Sequence, residues 1–430
     1  MSQGLDLASE PLAPLVASGE TVTTRGEVHG LVNGLMADFA EHGATRALVQ
    51  SDDPRQLMCA IEACSRAGVD LFIAHTTVSS EHVDAICAEH GIQAVLGQET
   101  DWREVEALSA TGRVMMMTSG TTGRPKVAAH TLDTLLARAR SALGQGVHSD
   151  GRWLLTYQPT GFAGVQVMLT AALTRGLVVV PDQRNPAGFY EAARRHGVNQ
   201  ISGTPTFWRS FLMVAQPSEM SLRQITLGGE AADQVTLDRL HAAFPQARVT
   251  HTYASTEAGV VYAVHDGREG FPASWLERTE RNVQLRVRDG FLQIKTANAM
   301  RGYLAEPSQP LLEDGWLATA DRVELEGDRV RVIGRDDATI NVGGSKVYPL
   351  AIEAFLLKQP GVAEARVYGV PNPISGALVA AEVVLAPGVD AASTRKSIIE
   401  ACRTALPSYQ QPRKFTIVDA IEVKASGKKG

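Results

Sequence analysis

The stretch Val114-Met-Met-Met-Thr118-Ser119-Gly120-Thr121-Thr122-Gly123-Arg124-Pro125-Lys126-Val127 decides how the rest of the chain is read. Val114 to Met117 have the apolar continuity of a short buried strand. The chain then turns into glycines and small hydroxylated residues, whose backbone N–H groups and hydroxyls can converge on an anion. Pro125 stiffens the exit and Lys126 adds a point charge. Leu132, Leu135, Leu136, Ala139 and Leu143 follow at helical spacing, closed by Gly144. Strand, loop and helix together suggest a polyphosphate site at a strand-to-helix turn. A plain turn is the bland alternative. A Walker loop does not fit, because Arg124 and Pro125 separate Gly123 from Lys126.

The pattern on either side agrees with an α/β scaffold. Between residues 20 and 110, helical stretches (27–39, 53–67, 83–90) alternate with apolar runs (46–50, 69–74, 93–96), the signature of a parallel sheet wrapped by helices. A second αβ run follows from 153 to 253, with strand ends opening onto Gly228-Gly229-Glu230 and onto Ala254-Ser255-Thr256-Glu257. From Val283 to Ile333 short strands with turn punctuation suggest a small β-barrel-like unit. The polar segment Gly334-Arg335-Asp336-Asp337 marks a boundary, and a small α+β domain is expected beyond it. The domains are expected to divide at 335/336.

Length and composition bound the class. A chain of 430 residues suggests about three packing units. Apolar content of 44% and charged content of 20% are ordinary for a soluble globular protein. The net charge of −6 argues against nucleic acid as the main partner. No apolar run reaches bilayer length, and the first twenty residues lack the pattern of a signal peptide. Cys59, Cys64, Cys87 and Cys402 have no metal spacing and read as reduced core thiols, so the expected location is the cytoplasm.

Two further positions carry candidate chemistry. Glu257, at a strand end behind Tyr253 and Thr256, could hold Mg²⁺ against a polyphosphate. Asp321, in Gly315-Trp316-Leu317-Ala318-Thr319-Ala320-Asp321, could bind both hydroxyls of a ribose, although a lone Asp there is usually a turn residue.

Taken in order, these motifs resemble the adenylate-forming superfamily: acyl- and aryl-CoA synthetases, adenylation domains and luciferases. That family shows the phosphate loop, a Gly-Gly-Glu-like strand end, Tyr-Gly-x-Thr-Glu, Gly-Trp-x-x-Thr-Gly-Asp, Gly-Arg-x-Asp-Asp-x-Ile and a terminal Gly-Lys. All six have counterparts here in the same order, from Thr118 to Lys428. The resemblance implies a large N-terminal domain of two doubly wound αβ subdomains plus the β-barrel-like unit, and a small rotating C-terminal domain. It implies that Thr118, Ser119, Gly120, Thr121, Thr122, Gly123 and Lys126 cradle ATP phosphates, and that Gly228, Gly229, Glu230 and Tyr253 line the adenine pocket. Thr256 would contact the α-phosphate, Glu257 would hold Mg²⁺, Asp321 the ribose, and Arg335 ribose and phosphate. Lys428 would bridge carboxylate and α-phosphate, Asp337 would be the hinge, and Gly343, Gly344 and Lys346 would swing in for the second step.

Some positions depart from the pattern. Ala254 and Ala320 replace glycines. The substrate-side loop reads Gln158-Pro159-Thr160-Gly161-Phe162-Ala163-Gly164, without the usual histidine and without the Asp that holds an α-amine. Thr160, Gly161, Phe162, Gly164 and Val260 are expected to shape a pocket for an aliphatic or aromatic acid. Coenzyme A is the expected co-substrate; a separate carrier protein, an amine or nitrite are alternative acceptors, and a homodimer is a compatible assembly. A non-catalytic nucleotide sensor and a phosphotransferase are the readings from other classes.

Overall fold

The computed structural model describes residues 4–118, 126–143, 150–280, 282–304, 312, 314–422 and 429. Its strands form four sheets. The first has six strands in the order Asp101–Trp102, Ala94–Leu96, Arg46–Val49, Asp70–Ile73, Arg113–Thr118 and Lys126–Thr131. Its four inner strands pair in parallel, and each edge strand is antiparallel to its neighbour. The helices between them are cut as the sequence suggests. Arg25–His42 opens on a reciprocal Thr24/Glu27 capping box, and Pro54–Ala67 opens on an Asp53 cap with proline in its first turn.

The second sheet has eight strands. From one edge these are Gly259–Val264, Arg248–Ser255, Gln224–Leu227 and Gln200–Gly203, then Arg152–Leu155, Leu177–Val180, Pro14–Ser18 and Thr21–Thr24. Only the two edge pairings are antiparallel. The helix Phe162–Leu173 packs against both this sheet and the helices of the first. Its sequence has no polar face because it is covered on all sides: Val165, Met168, Leu169, Ala171 and Ala172 are fully buried in a core shared by the two sheets. Sequence periodicity missed this helix for that reason.

A five-stranded antiparallel sheet follows, in the order Phe271–Pro272, Arg329–Arg335, Leu317–Glu326, Phe291–Thr296 and Val283–Arg288. Leu317–Glu326 is one long strand with a bulge between Arg322 and Val323. The fourth sheet lies wholly beyond Asp337 and encloses its own core of Ile340, Val347, Ile352, Leu356, Val367, Val379, Val383 and Ile398. The result is a large N-terminal α/β domain and a small C-terminal one. No helix among the described residues is long and apolar enough to cross a membrane. All four cysteines are buried and unpaired with one another.

One expectation is overturned. The glycine-rich loop joins strand to strand, not strand to helix: Arg113–Thr118 and Lys126–Thr131 run antiparallel, and Thr118 faces Lys126 across the loop's base. The second strand was hidden because Val127, Ala128, Ala129 and His130 are all buried, so polar alternation is lost. Its outer edge is also taken up, by Leu304 N–H to the Val127 carbonyl, Arg301 N–H to the Ala129 carbonyl, and Ala129 N–H to the Gly302 carbonyl.

Candidate active site

Three strand systems converge on one region. The hairpin of Arg248–Ser255 and Gly259–Val264 carries Tyr253 on its first arm, Val260 on its second, and Thr256 and Glu257 in the connection. The Tyr253 ring stacks on Tyr262, centroids 5.4 Å apart. Its hydroxyl donates to Asp321 Oδ2. Burial, and then the Asp321 charge, push the Tyr253 phenol well above its usual range, so it stays a donor.

Asp321 is 7% exposed and faces Arg335 across the Leu317–Glu326/Arg329–Arg335 pairing. Arg335 Nη1 lies 3.5 Å from Asp321 Oδ1, and the same guanidinium grips Asp337 with Nε–Oδ1 and Nη2–Oδ2 bonds of 3.0 Å each. The sequence therefore places a tyrosine, a carboxylate and an arginine together from 82 residues of separation. A carboxylate flanked in this way can accept from two hydroxyls of a sugar.

The phosphate side is built on the other hairpin. Lys126 is half-buried, with Nζ 5.2 Å from the centre of the Tyr303 ring. The Tyr303 hydroxyl donates to Glu257 Oε1 at 2.5 Å, and Glu257 accepts the Met300 N–H on its carbonyl at 2.8 Å. Tyr303 thus joins the lysine of one motif to the carboxylate of another. Sequence reasoning missed it, since an aromatic after Arg301-Gly302 has no local signature.

His130 was missed for a different reason: a lone histidine in an apolar run is usually core. It is fully buried, and Nε2 lies 2.7 Å from the Thr256 carbonyl, with Nδ1 3.1 Å from Thr134 Oγ1. Nε2 must carry the proton, since a carbonyl only accepts. Burial lowers the His130 pKa, which keeps the ring neutral near pH 7 and preserves this arrangement. The Thr256–Glu257 connection is therefore fixed from below.

The remaining expected residues take these places. Gly228 and Gly229 follow the strand Gln224–Leu227, and Tyr157 donates to the Gly228 carbonyl at 3.1 Å. Glu230 turns its carboxylate to Thr206, whose hydroxyl donates at 2.7 Å. Thr160 is buried, and among the described residues its hydroxyl has no hydrogen-bond partner. Gly161 precedes and Phe162 begins the buried helix, and the Phe162 ring lies 5.9 Å from that of His130. Gly343 and Gly344, both at positive φ, form the two-residue turn between Ile340–Val342 and Ser345–Val347, a geometry only glycine meets without strain. Lys346 follows that turn and pairs with Asp336 at 2.8 Å. Ser119, Gly120, Thr121, Thr122, Gly123, Lys428 and the side chain of Thr118 lie outside the described residues.

Gly164 is a sterically fixed point of the substrate-side segment. A Cβ there would sit 2.1 Å from the Gln158 carbonyl oxygen. Gly164→Ala is expected to cost about 1–3 kcal/mol of stability, read as a lowered urea midpoint at unchanged m. An unchanged midpoint would mean that the turn at Gln158 yields.

Residues 112–304 match the family model of the AMP-binding enzymes, and 351–428 match that of the AMP-binding enzyme C-terminal domain. The chain belongs to the adenylate-forming superfamily. This adenylate-forming protein is 26% identical to a 2-succinylbenzoate–CoA ligase of Bacillus subtilis, over all of its own length and 95% of the relative's. It is 30% identical, over 73% of its length and 64% of the relative's, to a ligase of Mycobacterium tuberculosis that joins CoA to a methyl-dioxo-octahydroindenyl propanoate. Its fold matches that of an anthranilate–CoA ligase bound to anthranoyl-AMP with TM-score 0.82 at 17% identity, covering 99% and 95% of the two chains. It is an AMP-forming enzyme of the acyl/aryl-CoA synthetase type.

Proposed function

We propose that the enzyme converts a carboxylic acid to its acyl-adenylate with ATP and passes the acyl group to coenzyme A. The observation that carries this reading is the convergence of Tyr253, Asp321 and Arg335 beside the Thr256–Glu257 connection, with Lys126 joined to Glu257 through Tyr303. A carboxylate oxygen attacks the α-phosphorus, the bond to the β-phosphate bridging oxygen breaks, and pyrophosphate leaves. The thiol then attacks the mixed anhydride carbonyl, AMP departs, and the thiol proton passes to water. The first step joins two anions, so positioning and charge neutralisation dominate it. Asp321 orients the ribose, and Lys126 offsets phosphate charge.

Glu257 would hold Mg²⁺, which supplies further charge neutralisation at the phosphates. The donor set suits that ion. No cluster of three or more His, Cys, Asp or Glu stands ready among the described residues, and Mg²⁺ typically takes one or two carboxylates beside phosphate oxygens and water.

For the acid, Gly161, Phe162, Gly164 and Val260 are the proposed lining, a polar-poor set that favours a ring system, and the Thr160 hydroxyl, without a hydrogen-bond partner among the described residues, offers it one polar contact. The ring-bearing acids named for two relatives support the same class. An α-amino acid is disfavoured, because the segment Gln158–Gly164 has no carboxylate for the amine.

The test is ATP turnover across aliphatic, aromatic and dicarboxylic acids, with AMP and pyrophosphate measured with and without CoA. AMP that rises with CoA for one acid supports the reading. Pyrophosphate indifferent to CoA would replace the acceptor by a carrier protein, an amine or nitrite, and ADP would replace the chemistry by phosphotransfer.

Asp337 is the proposed hinge, in the short turn Asp336–Ala338 and held by Arg335. Asp337→Pro fixes φ there and is expected to spare one half-reaction while depressing the other by about tenfold or more. Unchanged overall turnover would remove Asp337 from that role.

A further inference from the structure

The two domains meet through charged side chains that solvent barely reaches. Arg209, 5% exposed on the helix Pro205–Leu212, spans Asp233 of its own domain (Nη1–Oδ2 2.8 Å) and Glu364 of the small domain's strand Val362–Asn372 (Nε–Oε2 2.6 Å). It also donates to the hydroxyls of Thr206 and Thr236 at 3.2 and 3.1 Å. The other Glu364 oxygen lies 3.3 Å from Lys429 Nζ. Lys429 Nζ reaches Glu353 Oε2 at 2.8 Å and donates to the Ala365 carbonyl at 2.6 Å. Its backbone N–H donates to Glu230 Oε1 at 3.2 Å, and the second Glu230 oxygen accepts from the Thr206 N–H and hydroxyl.

Glu353 and Glu364 are 7% and 3% exposed, and the Lys429 side chain is 14% exposed. Charges withdrawn from water to this degree are costly unless each finds its partner. An ordinary interface ion pair would be the plain reading. Two features go beyond it. The carboxylates Glu353 and Glu364 of the small domain are bridged by Lys429, and that residue's own backbone is bonded across the interface to the motif Gly228-Gly229-Glu230.

We propose that Lys429 is a positioning residue for adenylate formation: its ammonium, clamped by Glu353 and Glu364, and its N–H on Glu230 dock the small domain against the strand end that carries Gly228-Gly229-Glu230. Breaking the contacts of this cluster that cross between the domains, Lys429 N–H to Glu230 and Arg209 to Glu364, releases the small domain for the thiol step. The proposal rests on the two-step reading above. It is independent of the identity of the acid.

Lys429→Met keeps the apolar stem and removes the charge; Glu353→Gln removes the charge of one clamp carboxylate and keeps an oxygen for the Val367 N–H. Each variant is assayed for acid-dependent ATP–pyrophosphate exchange and for CoA acylation from supplied acyl-AMP. Both are expected to lose exchange by about tenfold or more while the second step stays within about twofold. In parallel, dyes on Leu12→Cys and Ile374→Cys, 89% and 95% exposed on opposite domains, report interdomain distance by energy transfer; the native thiols are buried. With ATP bound, the variants are expected to depopulate the transfer efficiency that dominates the parent. Equal loss in both half-reactions, or an unchanged efficiency distribution, overturns the clamp. If the parent shows no acid-dependent exchange, the activity reading fails, and the distance distribution alone still decides the proposal.

Discussion

Lys428→Ala is expected to slow acyl-adenylate formation by about 10²–10³-fold, the loss typical when a preorganised donor to developing charge is removed. CoA acylation from supplied acyl-AMP is expected to stay within about twofold of the parent. The carboxylate and the α-phosphate are both anions, and a lysine that bridges them offsets repulsion where it rises toward the transition state. Nothing comparable is needed once the mixed anhydride exists, because its carbonyl is neutral and AMP is a good leaving group. The two half-reactions therefore separate the roles of neighbouring residues. On the proposed reading Lys428 would act by charge at the reacting atoms, whereas Lys429 would act by docking, with Glu353 and Glu364 as partners. Lys428→Ala is expected to leave the interdomain distance distribution unchanged, and Lys429→Met to shift it. Pyrophosphate exchange and acylation falling together in Lys428→Ala would count against a lysine reserved for the first step.

Much of the scaffold was legible because its boundaries are local. Asp53-Pro54 opens a helix wherever it precedes an amphipathic run, and Val362–Asn372 and Gly376–Leu385 announce themselves by β-branched residues around a turn. What failed was periodicity under full burial. The helix Phe162–Leu173 and the strand Lys126–Thr131 have no solvent face, so the first left no stripe and the second no alternation. The candidate site was legible motif by motif but not in its wiring. Tyr303 reaches Glu257 across 46 positions, His130 reaches Thr256 across 126, and Lys429 reaches Glu230 across 199. None of these three pairs has a local pattern; each is made by the sheet topology that lays the Lys126–Thr131 strand and residues 300–304 against the Thr256 connection, or by the docking of the small domain.

That wiring makes Glu257→Gln a clean test of the metal role. Gln keeps the shape and an oxygen to accept from Tyr303, and His130 continues to hold the Thr256 carbonyl. The substitution therefore removes a charge and little else. The Mg²⁺ concentration giving half-maximal adenylation is expected to rise by at least about tenfold, equivalent to about 1.4 kcal/mol of binding. Folding stability is expected to change by less than about 0.5 kcal/mol, because the carboxylate is partly exposed and makes no ion pair among the described residues. Excess Mg²⁺ should restore part of the lost rate, since triphosphate oxygens supply most of the ion's ligands. Thiol transfer from supplied acyl-AMP, which involves no pyrophosphate departure, should show no comparable change. A Mg²⁺ dependence identical to the parent's would move the metal to another ligand and leave Glu257 as an acceptor for Tyr303 alone. A loss that no Mg²⁺ concentration repairs, with stability intact, would instead place the carboxylate's charge in the organisation of Lys126 and the phosphates through the Tyr303 ring that lies between them.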